Sequence, residues 1–255
     1  MTLSGTTFTP TLNSDMGEGL GLHAFGHDEE LMQIIDVANV ACGFHAGDPA
    51  VMEQTVGLAA RYGVQVGAHP GLPDLTGFGR RRMALEPREV RQLMLYQVGA
   101  LTGFLGQAGL PLHHIKPHGA LYGMLAGDDA LMEAAADVAR QYGVPLYGLA
   151  GTAHERVCQD RGIEFVPELY VDLDYTAEGA LIIRRTPHTT DPSAAAQRVR
   201  YALAGESFPS AEGPEVSIDF RSICVHSDAP NSPDVARAVR DAIAAASATG
   251  ENNPA

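Results

Sequence analysis

Short apolar, β-rich runs alternate along this chain with longer stretches of helical periodicity. Runs at about 8–14, 39–43, 64–68, 112–117, 144–149, 163–169 and 221–226 read as strands. Between the first two, Leu31, Ile34 and Ile35 line one side of a short helix over 28–37. Asp48-Pro49 opens a second helix that runs to about Tyr62 and stops at Gly63. Asp can accept from the free N–H groups of a first turn, and Pro there lacks a donor that would be wasted. After Glu86-Pro87, Val90, Leu93, Met94, Gln97, Leu101, Phe104 and Leu105 recur at helical spacing until Gly109. Further helices are predicted over 128–142, 152–161, 192–203 and 232–248. Residues 170–191 break the rhythm and read as a hairpin.

This alternation makes about seven β/α units, so a parallel sheet is expected, either closed into a barrel or doubly wound. The polar residues choose between them. LNSDMGEG, VACGFHAGD, VGAHPG, HIKPHGALY, VPELYVD and CVHSD each put Asp, Glu, His or Lys at the C-terminal end of a strand. An open sheet concentrates its site at one switch point, whereas a barrel recruits from nearly every strand. The expectation is therefore an α/β fold, an irregular seven-stranded (β/α) barrel forming a single domain over 1–255, with 249–255 a frayed tail.

Asp15 and Glu18 lie three apart in a glycine-flanked turn, where two carboxylates can bind a divalent cation or divide acid and base roles. His45 follows the second strand and suits a ligand or general base. Asp48 fits a helix cap, and Cys42 a small core side chain. His69 ends the third strand. In the loop after it, Arg80 and Arg81 can offer guanidinium groups to a carboxylate or phosphate. Lys116 and His118, two apart on a strand, share one face. Lys116 could stabilise an oxyanion, and His118 could bind metal or carry a proton. Glu168 ends the sixth strand, with Asp172 and Tyr175 in the loop beyond. His226 ends the last strand, and Asp228 fits either the site or the cap of the last helix. His113 and His114 read as structural, and His23, His27, His154 and His188 as loop or surface residues.

Asp15, His45, His69, Lys116, His118, Glu168 and His226 together point to hydrolysis or amide chemistry. Asp15, His45 and His118 supply a carboxylate and two imidazoles, a common set for a divalent ion, and the same groups serve metal-free acid–base catalysis equally well. No HExxH, GxSxG, CxxC array or GxxxxGK[ST] is present, so any ATP is bound in another way.

Composition narrows the partners. A formal charge of −14 over 255 residues disfavours nucleic acid and anionic membranes. Three cysteines fit no disulfide framework, and no apolar run approaches the roughly 20 residues of a membrane span. The first residues have neither the basic region nor the apolar core of a signal peptide, so a cytoplasmic location is expected.

LNSDMGEGLG, NVACGFHAGDP, GAHPGLPDLTGFGRR, IKPHGALY and SICVHSDAP, in this order, resemble the LamB/YcsF family over about 12–245. The resemblance implies an irregular seven-stranded barrel like that of polysaccharide deacetylases. It also implies the role of the A component in ATP-dependent 5-oxoprolinase, opening 5-oxo-L-proline to L-glutamate with partner B and C subunits. The family's acidic turn falls on Asp15 and Glu18, its histidines on His45, His69 and His118, its lysine on Lys116 and its glutamate on Glu168. Ser14, Leu173 and Ser227 stand where the family pattern commonly has cysteine, arginine and glycine. The rival reading is a stand-alone metal-dependent deacetylase or amidohydrolase, and the third is a non-catalytic component that only binds a small molecule.

Overall fold

The computed structural model describes residues 8–183 and 188–249. Its strands are β1 (Thr11–Met16), β2 (Val37–Ala41), β3 (Gln65–His69), β4 (Leu146–Gly148), β5 (Phe165–Tyr170), β6 (Asp174–Tyr175), β7 (Leu181–Ile182), β8 (Phe208–Pro209), β9 (Glu215–Val216) and β10 (Ser222–Cys224). Six of them form a central, curled, parallel sheet in the order β3-β2-β1-β10-β5-β4. The predicted fourth strand is reduced to a bridging segment. Ile115 pairs with Ala68 of β3 on one side and Leu146 of β4 on the other. That segment joins the two sheet edges, so the six strands plus this bridge surround one interior. His118-Gly119 turns the chain into α4 (Gly119–Gly127) too soon for a longer strand.

Helices cover the outside. They are α1 (Asp28–Leu31), α2 (Pro49–Tyr62), α3 (Pro87–Ala108), α4, α5 (Asp129–Tyr142), α6 (Ala153–Arg161), α7 (Pro192–Leu203) and α8 (Ser232–Thr249). Asp48 caps α2 as expected, accepting from Ala50 N at 2.8 Å and Val51 N at 3.1 Å. The predicted helix over 28–37 shrinks to α1 because β2 already begins at Val37. Helix α4 goes beyond the sequence expectation. Its sequence GALYGMLAG is apolar on every side and flanked by glycine, so no amphipathic stripe announces it.

The 170–191 region contains the predicted hairpin, β6 against β7. A second small hairpin, β8 with β9, carries no clear alternation in sequence. His154 corrects the sequence reading. It lies on α6, fully buried, with Leu149 N donating to Nδ1 at 3.2 Å and Nε2 facing Tyr122 O at 3.1 Å. Beyond Thr249, the expected frayed tail lies outside the described residues.

Strand alternation divides the core in two. Leu12 and Met16 of β1 join the apolar cluster, while Asn13 and Asp15 point with the opposite period. Asn13, Asp15, Asn39, Lys116, Glu168 and Ser222 are all buried. Buried polar groups without partners cost heavily, so such an interior survives only as a hydrogen-bonded network.

Candidate active site

Lys116 is the hub of that network. Its ammonium, 2 % exposed, lies 3.1 Å from Asp15 Oδ1, 3.2 Å from Glu168 Oε1, 3.0 Å from Cys224 Sγ and 3.3 Å from Asn13 Oδ1. Burial opposes its charge, but the surrounding Asp15, Cys224 and Glu168 hold its pKa well above the ordinary lysine value. Asn13 donates to Glu168 Oε1 at 3.1 Å, and the Tyr170 hydroxyl donates to Oε2 at 2.9 Å. Burial raises the Glu168 pKa, with Lys116 pulling against it.

Asp15 is held from three sides. Asn39 Nδ2 donates to Oδ1 at 2.8 Å, Lys116 reaches the same oxygen, and His69 Nε2 stands 3.3 Å from Oδ2. Burial alone would raise its pKa; His69 and Lys116 overcome that and hold it well below the carboxylate range. Glu18 goes the other way, raised well above its ordinary value by burial and then by the charges of Asp15 and Asp228. Two carboxylates pushed apart in this manner can divide base and acid roles.

Three histidines gather beside them. His118 Nδ1 is 2.9 Å from His69 Nε2 and 3.6 Å from Glu18 Oε1, and His45 Nε2 is 3.6 Å from the same oxygen. The His45 and His118 rings stack 3.7 Å apart. Burial, then neighbouring imidazoles, lowers the pKa of both well below 6.5. Glu18 Oε1 and both His45 nitrogens are buried without a hydrogen-bond partner. Glu18, His45, His69 and His118 thus form a buried cluster that could hold a metal ion, one donor atom from each lying within 4.8 Å of the others. The cluster differs from the set read from sequence, with Glu18 standing where Asp15 was expected. Asp15 groups instead with Cys224 and His226.

His226 completes the rim. Asp172 Oδ1 meets its Nδ1 at 3.0 Å, and Asp15 Oδ2 lies 3.6 Å from its Nε2. Burial opposes protonation, but Asp172 and Asp15 raise its pKa to about 9. Arg80 reaches Asp228 Oδ2 at 2.7 Å and lies over the Phe78 ring, so Asp228 is a rim ion-pair partner rather than a helix cap. Arg81 turns outward to Asp74 and Thr76. A cleft of about 420 Å³ opens onto Asp15, His69, Arg80, Lys116, His118 and His226. Tyr122, Tyr170, Leu173, Leu181 and Ile183 also line it.

Asp15, Glu18, His45, His69, Lys116, His118, Glu168 and His226 therefore share one connected site, with Arg80 at its edge and Arg81 outside. Sequence reasoning missed Asn13, Asn39 and Cys224, and did not pair Asp172 with His226. The i, i+2 spacing of Asn13 and Asp15 was the available signal for the first.

The LamB/YcsF family model matches residues 11–254. The chain belongs to the LamB/YcsF family. It is 46 % identical over 237 residues to the A component of 5-oxoprolinase from Thermus thermophilus, covering 91 % of this chain and 94 % of that one. It is 43 % identical to the lactam utilization protein lamB of Emericella nidulans over 236 residues, 91 % of this chain and 93 % of the other. The crystal structure of a lactam utilization protein from Thermus thermophilus superposes with a TM-score of 0.86 at 43 % identity, covering 94 % and 98 % of the two chains. No helix among the described residues is long and apolar enough to cross a membrane.

Proposed function

We propose that this chain is the A component of an ATP-dependent 5-oxoprolinase, a single-domain protein of the cytoplasm working with B and C subunits. The assembly opens the lactam amide of 5-oxo-L-proline to L-glutamate and hydrolyses ATP to ADP and phosphate. The observation that carries this reading is His226 Nε2 standing 3.6 Å from Asp15 Oδ2 across one cleft, in a chain whose relatives bear lactam and 5-oxoprolinase names.

The lactam is stabilised by resonance, so its carbonyl carbon needs activation. Transfer of the ATP γ-phosphoryl group to the lactam oxygen supplies it and releases ADP, with nucleotide bound by the partner subunits, as this chain lacks the GxxxxGK[ST] motif. Asp15 takes a proton from water as that water adds to the carbonyl carbon. Lys116, lining the cleft, balances the negative charge carried by the activated oxygen. His226 Nε2–H then protonates the ring nitrogen as the C–N bond breaks, giving an amine and an acyl phosphate, whose hydrolysis releases phosphate and the carboxylate. Arg80 holds the substrate carboxylate at the rim, and the aliphatic wall of Leu173, Leu181 and Ile183 receives the ring methylenes. A divalent cation in the histidine cluster would add positive charge beside the cleft and so favour the negative charge of the addition step.

That cluster also favours a second reading, a stand-alone metal-dependent amidohydrolase. The deciding experiment measures glutamate from 5-oxo-L-proline, with ADP followed alongside, with and without ATP and the B and C subunits. Both products arising only in the complete mixture support the proposal. ATP-independent turnover by this chain alone supports the second reading. No turnover in an assembled complex leaves a component that only binds.

A further inference from the structure

The hydrogen bonds around His69 and His118 fix which of their nitrogens carry protons. His69 Nδ1 lies 2.8 Å from Lys116 O, and His118 Nε2 lies 2.8 Å from Phe78 O. A carbonyl oxygen only accepts, so each of these nitrogens is the N–H donor. In neutral rings that leaves His69 Nε2 and His118 Nδ1 as bare lone pairs, yet they face each other at 2.9 Å. Two acceptors at that separation need a positive charge between them.

A single shared proton would satisfy those two atoms and no more. Two further acceptors face the same place, Glu18 Oε1 and His45 Nε2, 3.6 Å apart and both without a hydrogen-bond partner. These four donor atoms lie within 4.8 Å of one another, and separations of 2.9 and 3.6 Å are close to the edges of a tetrahedron around an ion at roughly 2.0–2.1 Å bond lengths. The His45 ring, stacked 3.7 Å from His118, turns out of that stack for both to meet one ion. Lys116 excludes a cation from the other face of Asp15, because its ammonium already lies 3.1 Å from that carboxylate and 3.0 Å from Cys224 Sγ.

We propose that Glu18, His45, His69 and His118 form a site for one Zn²⁺-class divalent ion, with Asp15 left unligated beside it. Three imidazoles and one carboxylate favour zinc or cobalt over magnesium or calcium, which prefer all-oxygen shells. The two backbone carbonyls play the outer role usual at such sites, orienting the ligating rings. Under the lactam reading this separates two jobs, metal binding on Glu18 and proton transfer on Asp15. The metal site does not depend on that reading, and its test uses no substrate.

The test is titration of chelator-treated, full-length protein with Zn²⁺ by calorimetry, and with Co²⁺ by visible absorption. One ion per chain with a four-coordinate Co²⁺ band is expected. Glu18→Gln should weaken Zn²⁺ binding by more than the roughly 10–100-fold typical of outer-shell changes, while Asp15→Asn retains stoichiometric binding. Absence of stoichiometric binding at micromolar Zn²⁺ overturns the proposal and leaves a shared proton. Loss of binding in Asp15→Asn, or unchanged binding in Glu18→Gln, overturns the ligand set. Should the Glu18 variant fail to fold, ¹⁵N shifts of the wild-type imidazoles decide. Zn²⁺ should move the nitrogens of His45, His69 and His118 together, and movement confined to one ring overturns the set.

Discussion

Asp172 grips His226 twice: Oδ2 accepts from the backbone N–H at 2.7 Å, and Oδ1 faces ring Nδ1 at 3.0 Å. The imidazole is thereby oriented with Nε2 toward Asp15, and its pKa lies near 9. As the protonated form is the proposed acid, turnover should fall as pH rises through about 9. Asp172→Asn should move this alkaline limb toward the ordinary 6.5, which a pH–rate profile would show. An unmoved limb would remove His226 from the acid role. The same raised pKa contributes stability that is complete below about 6.5 and lost as pH climbs through about 9, readable in urea midpoints.

Lys116 has a structural part beside its proposed chemical one. Its removal leaves Asp15 and Glu168 buried without their cation, and breaking a buried pair from one side costs about 3–5 kcal/mol. Lys116→Met should lose turnover and about that much stability at pH 7. The stability loss should shrink on acidification as the orphaned carboxylates take up protons. Denaturant unfolding at the two pH values checks both statements, and a stable variant at pH 7 would contradict the network described.

Glycines make room for the histidine rings. A Cβ on Gly71 would sit 2.4 Å from His45 Nδ1, and one on Gly67 2.0 Å from His114 Cε1. Gly71→Ala should displace His45, and Gly67→Ala should destabilise the sheet. Gly99→Ala, mid-helix with its nearest neighbour the Tyr142 hydroxyl at 3.5 Å, should be neutral or stabilising by about 0.4–1 kcal/mol. Thermal melts of the three variants rank them, and equal melting points would refute the packing argument.

The aliphatic wall should set substrate size. Leu173→Ala opens the cleft beside Leu181 and Ile183, so KM for 5-oxoproline in the reconstituted assembly should rise roughly 10-fold. A lactam one carbon larger should gain in relative kcat/KM. An unchanged ratio between the two substrates would show that the wall does not touch the ring.

Much of this was legible because the barrel puts each strand's last residues at one rim. Asp15, His45, His69, Lys116, Glu168 and His226 come from different strands or strand exits and could be gathered on that rule alone. What stayed hidden depends on pairings between distant segments. Asn39 looks like an ordinary strand residue until β2 registers it opposite Asp15. Cys224 reads as core until Lys116 arrives at its sulfur. His154 sits in a polar helix sequence, AHERVCQDR, whose inward face only tertiary packing reveals. That Glu18 lies 3.6 Å from both His45 and His118 follows from loop geometry that no spacing encodes.

The sheet order has a consequence for how the molecule comes into being. Strand β10, near the end of the chain, slots between β1 and β5. During synthesis, a nascent chain short of residue 222 has its first strand waiting beside a gap. Asp15 then lacks His226, and Lys116 lacks Cys224. The candidate site is therefore complete only once β10 has docked between β1 and β5.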